Sequence, residues 1–193
     1  MALLVVAFTA FGCGHYLPSS GWITLIDGES GFDNWNVTGS KANWRPSEGS
    51  IQADKTAGKG SSVLVSKKSF KDVELYVEFW AGEDTNSGVY LRVRNPNDVS
   101  TSTGAYEVQI WDKNPNPAYS TGSLVNVASV QPIYKAGGKW NVYEITAKGP
   151  DITVKLNGVV TVHARDDRYP EGRLGLQFNG GPIKFRKIRV REL

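Results

Sequence analysis

The chain alternates apolar and polar residues in many short runs, and no stretch sustains a 3.6-residue apolar period over three turns. The alternating runs predict strands over Trp22 to Ile26, Ser50 to Ala53, Ser62 to Ser66, Val73 to Trp80, Gly88 to Arg94 and Ala105 to Trp111. Further strands are predicted over Trp140 to Lys148, Ile152 to Asn157, Val159 to Ala164, Gly172 to Phe178 and Ile183 to Arg191. Turn residues separate these runs, and Leu156-Asn157-Gly158-Val159 carries the Asn-Gly pair of a two-residue hairpin. Many short strands with no long helix between them predict an all-β fold, an antiparallel sandwich or barrel. Two polar connections interrupt the pattern, Asn95 to Gly104 and Asp112 to Gln131. Loops of that length inside a domain are commonly functional. The second would wall one end of a site, stiffened by Asn114-Pro115-Asn116-Pro117.

A two-residue period also sorts the polar side chains onto faces. Tyr90 and Arg92 share one face of their strand, Glu107 and Gln109 another, and Glu74, Tyr76, Glu78 and Trp80 a third. Pooled on one sheet surface, carboxylates, a guanidinium, an amide and flat rings suit a sugar: rings stack on its apolar faces and charged groups bind its hydroxyls. Glycoside cleavage uses an acid and a base or nucleophile roughly 5 to 9.5 Å apart. Neighbouring strands lie about 4.8 Å apart, so Glu78 and Glu107 meet that requirement if their strands are close. Arg92 would keep one of them ionised while drier surroundings raised the pKa of the other. The plain alternative is a Glu–Arg–Glu ladder on a wet face, which stabilises little. Trp80, Tyr90 and Trp111 are candidate stacking rings, with packing between sheets as their alternative. Asn86 is a candidate contact or a turn cap, and the neighbouring Gly88 reads as a bulge. Trp140 reads as core, which would leave Asn141 on the opposite face as a further contact.

At 193 residues the chain is expected to be one domain, or one domain with a short leader. A net charge of +3, with Lys and Arg spread along the chain, gives no basic groove for nucleic acid. Residues 2–11 form an apolar run that is too short to span a bilayer and reads as a secretory signal. Ala10-Phe11-Gly12-Cys13 resembles a lipobox, although no Lys or Arg precedes the run and Phe11 is bulky. Residues 1–13 are thus read as a signal and lipobox segment, 14–21 as a tether and 22–193 as the domain. The protein is expected to be exported, touching the membrane only through a lipid on Cys13. One cysteine and two histidines do not make the usual zinc site. No cofactor is expected, and Asp84 and Asp112 are the residues that would hold a divalent cation if there were one. P-loop, dinucleotide and nucleophile-elbow motifs are absent.

Several short motifs, in order, resemble the bacterial 3-keto-disaccharide hydrolase domain family. They are Leu25-Ile26-Asp27-Gly28 with Trp35, Asn86-Ser87-Gly88, Tyr106-Glu107-Val108-Gln109, Thr121-Gly122, Trp140-Asn141, Leu156-Asn157-Gly158, Leu174-Gly175-Leu176-Gln177 and Phe185-Arg186-Lys187-Ile188. The resemblance runs from about Trp22 to Leu193 and implies a concanavalin-A-like jelly roll with a carbohydrate cleft on its concave face. The chain departs from the family pattern at three places. Asn179 stands where many members have a histidine, Val125 where a tyrosine is common, and Lys187 where an asparagine is usual. The first two remove an acid/base group and a sugar contact. A 3-keto sugar also changes the chemistry, because the C3 carbonyl acidifies the C2 proton, so one base and an oxyanion stabiliser suffice. On that reading Glu107 is the base, Arg92 holds the enolate, and Gln109 and Gln177 orient hydroxyls. A non-catalytic carbohydrate-binding module on the same fold is the competing function, and a cell-surface protein that binds other proteins is a third.

Overall fold

The computed structural model describes residues 21–193, so the expected leader, Cys13 and most of the tether lie outside the described residues. The strands, in chain order, are β1 (Trp22–Asp27), β2 (Trp35–Ala42), β3 (Arg45–Ser47), β4 (Ser50–Ala53), β5 (Thr56–Phe70), β6 (Val73–Ala81) and β7 (Ser87–Val93). They continue with β8 (Tyr106–Ile110), β9 (Trp140–Lys148), β10 (Asp151–Leu156), β11 (Val159–Arg165), β12 (Gly172–Phe178) and β13 (Ile183–Glu192). The larger sheet runs β11-β10-β9-β6-β13-β4-β3, with β1 also paired to β13. The smaller sheet runs β2-β5-β12-β7-β8. All strand pairings in both sheets are antiparallel, giving the two-layered sandwich that the alternation allows and the jelly roll that the family resemblance implies.

The alternation is what builds the core. On β6, Val73, Leu75, Val77, Phe79 and Ala81 point inward while Glu74, Tyr76, Glu78 and Trp80 point outward. Their inner partners on the smaller sheet include Leu64, Val89, Leu91, Tyr106, Val108, Ile110, Leu174, Leu176 and Phe178. Polar contacts cross this dry layer: Tyr143 of β9 is buried, stacks on Phe79 with ring centroids 4.8 Å apart, and donates its hydroxyl to the Gln109 carbonyl at 2.6 Å, and Thr161 of β11 donates to the Gly122 carbonyl at 2.8 Å. β7 and β8 differ from the outer strands in being buried on both faces, because connecting segments cover the outward side of the smaller sheet.

The alternation breaks at Arg92. Across β12 and β7 the register moves from Arg173↔Val93 to Gly175↔Tyr90, so β7 carries an extra residue, a β-bulge, with Arg92 at φ 54°. The left-handed backbone turns Arg92 away from the face of Tyr90 and into the end of the sandwich. There its Nε donates to the Lys71 carbonyl (3.2 Å), its Nη1 to the carbonyls of Gly149 (2.8 Å) and Tyr169 (3.0 Å), and its Nη2 pairs with Asp72 at 3.3 Å. Arg92 is 2% exposed, and it ties together three turns distant in sequence. The expectation that it holds an enolate is therefore corrected: its donors are committed to backbone carbonyls and to Asp72. Replacing Arg92 by alanine should lower the unfolding free energy in urea by about 3 kcal/mol, because it strands buried carbonyls and Asp72. Any turnover per folded molecule should persist.

Candidate functional site

The register of the smaller sheet lays out its outward face as two rungs. One rung runs Asn36, Val65, Gly175, Tyr90, Glu107 and the next runs Thr38, Val63, Gln177, Gly88, Gln109. Segment 121–125 extends both rungs as a sixth strand against β8. Gln109 N–H donates to the Ser123 carbonyl (3.0 Å), Gly122 N–H to the Gln109 carbonyl (3.0 Å) and Val125 N–H to the Glu107 carbonyl (2.9 Å), with Val108 opposite Leu124. The loop expected to wall the site thus does so as part of the sheet. Segment 95–104 straps across the rungs: Val99 packs with Val63, Val65, Tyr90, Val93 and Ala105. The strap's ends are tied by Thr38 Oγ1 to the Asn97 carbonyl (3.3 Å) and by Asn126 Nδ2 to Thr101 Oγ1 (3.1 Å).

Two glycines make room for the central side chains. A Cβ on Gly88 would lie 2.7 Å from Glu107 Oε1, so the carboxylate rests directly over that glycine. A Cβ on Gly175 would meet the Tyr90 side chain at 3.0 Å, so the tyrosine crosses there. Gly88 itself is an ordinary strand residue; the bulge expected at it falls instead at Arg92.

Glu107 is 7% exposed, and among the described residues no cation pairs with it. Burial pushes its pKa from the usual 4.5 up to about 7, with hydrogen bonds from Tyr90 and Gln177 pulling partly the other way. Gln177 Nε2 donates to the Tyr90 hydroxyl at 2.6 Å, which leaves the tyrosine's own proton for the carboxylate. Burial, first, and the adjacent carboxylate raise the Tyr90 pKa well beyond physiological pH, so it stays a donor. Gln109 Oε1 accepts the Ile110 N–H (3.2 Å), which fixes the amide orientation and leaves its Nε2 hydrogens for a ligand. The Gln177 Oε1 and Ser123 Oγ atoms are buried without a partner among the described residues. This arrangement can take up a proton at neutral pH and offer amide donors beside it.

The structure gathers Glu107, Tyr90, Gln109 and Gln177 and separates the rest of the expected set. Glu78 and Trp80 lie on β6, in the larger sheet, facing the opposite side of the sandwich; alternation shows which residues share a strand face, not which sheet the strand joins. Glu78 accepts from the Tyr76 hydroxyl (2.6 Å) and pairs with Arg186, and Lys184 Nζ lies 5.7 Å from the Trp80 ring centroid. Asn141 and Trp140 exchange the places expected of them. Trp140 is on the outer surface, whereas Asn141 is 1% exposed and donates to the Ala136 (2.9 Å) and Lys139 (2.8 Å) carbonyls, leaving it no free donor for a sugar. Trp111 and Asn86 sit half-buried just beyond the Gln109 and Gly88 rung, at its rim, with Asn179 across from Asn86. The Asp112 carboxylate is taken up by Thr121 Oγ1 (2.6 Å) and the N–H groups of Ala136 (2.8 Å) and Gly137 (2.9 Å), while exposed Asp84 pairs with Lys113. Among the described residues no three His, Cys, Asp or Glu side chains group to hold a metal. Sequence reading missed Gly175, Val99 and Ser123. Their signals were a glycine in phase with Gln177, a lone apolar residue in a polar loop, and a serine beside core-seeking Leu124.

Because folding raises the pKa of Glu107, its ionisation opposes folding, and stability falls as pH rises from about 4.5 through about 7. At about 1.4 kcal/mol per pKa unit the loss is roughly 3 kcal/mol. Glu107→Gln should therefore be more stable than the parent protein at pH 8 by up to that amount and close to it at pH 4, as read by urea unfolding at both pH values. Gly88→Ala should keep the fold by circular dichroism yet displace the carboxylate, lowering any turnover on the order of 100-fold.

The comparisons with known proteins agree with the fold. The fold matches a candidate glycosyl hydrolase of Parabacteroides distasonis at a TM-score of 0.74 and 18% identity, over 90% of this chain and 94% of that one. A second such protein from the same organism matches at 0.71 and 22%, over 89% and 99%. Carbohydrate-binding module CBM66 from Bacillus subtilis matches at 0.56 and 14%, over 88% and 94%. Among curated proteins none is significantly similar. The family model described as the 3-keto-alpha-glucoside-1,2-lyase-like domain matches residues 21–191, and the chain belongs to that family.

Proposed function

We propose that the protein cleaves 3-keto-α-glucosides or closely related 3-keto-disaccharides by elimination, with Glu107 as the base. The observation that carries this reading is a buried carboxylate without a counter-ion and with a pKa near neutrality, on a face whose two rungs supply no second carboxylate. A displacement mechanism uses two carboxyl groups. Elimination beside a ketone uses one.

The glucoside ring would lie across the Gln109 and Gln177 rung with its C2 hydrogen facing Glu107. The C2–H bond breaks, the proton passes to the carboxylate, and the electron pair forms an enolate with its charge on the C3 oxygen. The Gln109 Nε2 donors are the groups placed to receive that charge, the role expected of Arg92. The enolate re-forms the ketone as the C1–O bond breaks, leaving a C1=C2 double bond and an alkoxide leaving group, which takes the proton back from Glu107. Water added across the double bond then yields the free 3-keto sugar. Tyr90, held by Gln177, keeps the carboxylate oriented through the cycle.

The competing reading, a carbohydrate-binding module, draws on the fold likeness to CBM66. Incubating the full chain with 3-keto-α-glucosides and their parent glucosides, followed by mass spectrometry, separates the two. Cleavage should be confined to the keto sugars and lost in Glu107→Gln. Its kcat/KM should rise with pH and level off above an apparent pKa of about 7, where the base is ionised. Binding without cleavage would give the module the better claim.

A further inference from the structure

The outward face of the larger sheet carries a hollow of about 170 Å³ that the chemistry at Glu107 does not use. It is lined by Trp22, Glu74, Tyr76, Glu144, Thr146, Thr153 and Lys155. The register puts these on two adjacent rungs, Thr153–Thr146–Glu74–Arg191–Trp22 and Lys155–Glu144–Tyr76–Arg189. Elsewhere on this sheet acids and bases are paired: Glu74 with Arg191, Glu78 with Arg186, Glu48 with Lys184 and Asp27 with Lys187. Glu144 and Lys155 stand directly opposite each other across β9 and β10, yet among the described residues neither has an ion-pair or hydrogen-bond partner. The hollow therefore keeps one carboxylate acceptor and one ammonium donor free beside the hydroxyls of Thr146 and Thr153, the latter already bonded to His163 Nδ1 at 2.9 Å.

Its aromatic wall is fixed in advance. The Arg189 guanidinium lies 5.4 Å from the Trp22 ring centroid and 5.0 Å from that of Tyr76, and Arg191 lies 5.2 Å from Trp22. Cation–π contacts of this kind hold the rings in place, so little ordering remains to be done on binding. Glu74 is paired with Arg191, the two free groups Glu144 and Lys155 are of opposite sign, and Arg189 lies against the rings, so a ligand that hydrogen-bonds to both signs suits this lining better than an ion of either. Acceptors, donors, hydroxyls and ring surface in one small hollow match a neutral, hydroxyl-rich ring.

We propose that this hollow is a second carbohydrate-binding site, taking one neutral pyranose unit on the face opposite Glu107. Such a site would hold a glycan on one side of the sandwich while the other side stays open to substrate, and it does not depend on whether Glu107 is catalytic.

The test is a titration of the 15N-labelled full chain with the methyl glycosides of glucose, galactose, mannose and xylose, and separately with glycine. At least one glycoside should shift the amide resonances of Thr146 and Thr153. The dissociation constant should weaken by about fivefold or more in Glu144→Gln and in Lys155→Ala, the loss of a charge-assisted hydrogen bond. Both positions are exposed, so these variants should fold normally. Glu107→Gln should leave the binding unchanged. The proposal is overturned if no glycoside moves those amides, if glycine moves them equally, if both variants bind like the parent, or if Glu107→Gln abolishes the effect.

Discussion

The candidate site exists because β8 is enclosed on every side. Its edges are paired with β7 and with segment 121–125, its inner face lies in the core, and its outward side chains are buried too. A backbone held this way has few unpaired groups and little freedom; the Gln109 carbonyl alone accepts from both Gly122 and Tyr143. Side chains on its outward face consequently stand at fixed positions without support from one another. That rigidity is what allows a carboxylate to stay buried without a cation, a state that a looser strand would relieve by turning the side chain to water.

Most of the fold was legible because alternation is a strong signal where one face of a strand is wet. β6 and β9 show it cleanly, and their inward residues can be read off the chain. β2, with Gly39, Ser40 and Lys41 in its run, has almost no alternation and was not foreseen. The site was legible only in part, for two physical reasons. A two-residue period says which side chains share a face but nothing about which strands become neighbours, so Glu78 and Trp80 were assigned to a surface they never reach. Parity also fails silently at a bulge: Arg92 keeps the spacing of Gly88 and Tyr90 in sequence, yet one left-handed residue sends it to the opposite side. Arginine is an unusual occupant of that backbone region, so the chain gave no warning.

The same bulge shapes the chemistry left on the outward face of the smaller sheet. With Arg92 withdrawn, Glu107 loses the one partner that would have kept it a strong acid, and its proton affinity is set by dryness, Tyr90 and Gln177. A carboxylate tuned by surroundings rather than by an ion pair sits near neutrality, where it can both take and return a proton.

The strap over these rungs is held together largely by itself. Ser100, Ser102 and Thr103 bond among themselves, Thr103 Oγ1 also reaches the Asp98 carbonyl at 2.6 Å, and Asn95 caps Asn97. Outside that network it is pinned to the rest of the molecule by two side-chain bonds and Val99. A segment so self-sufficient behaves as a cassette. Ten residues can change length and sequence there at little cost to the sheet below, so the ceiling over Tyr90 can be reshaped while the floor keeps its register.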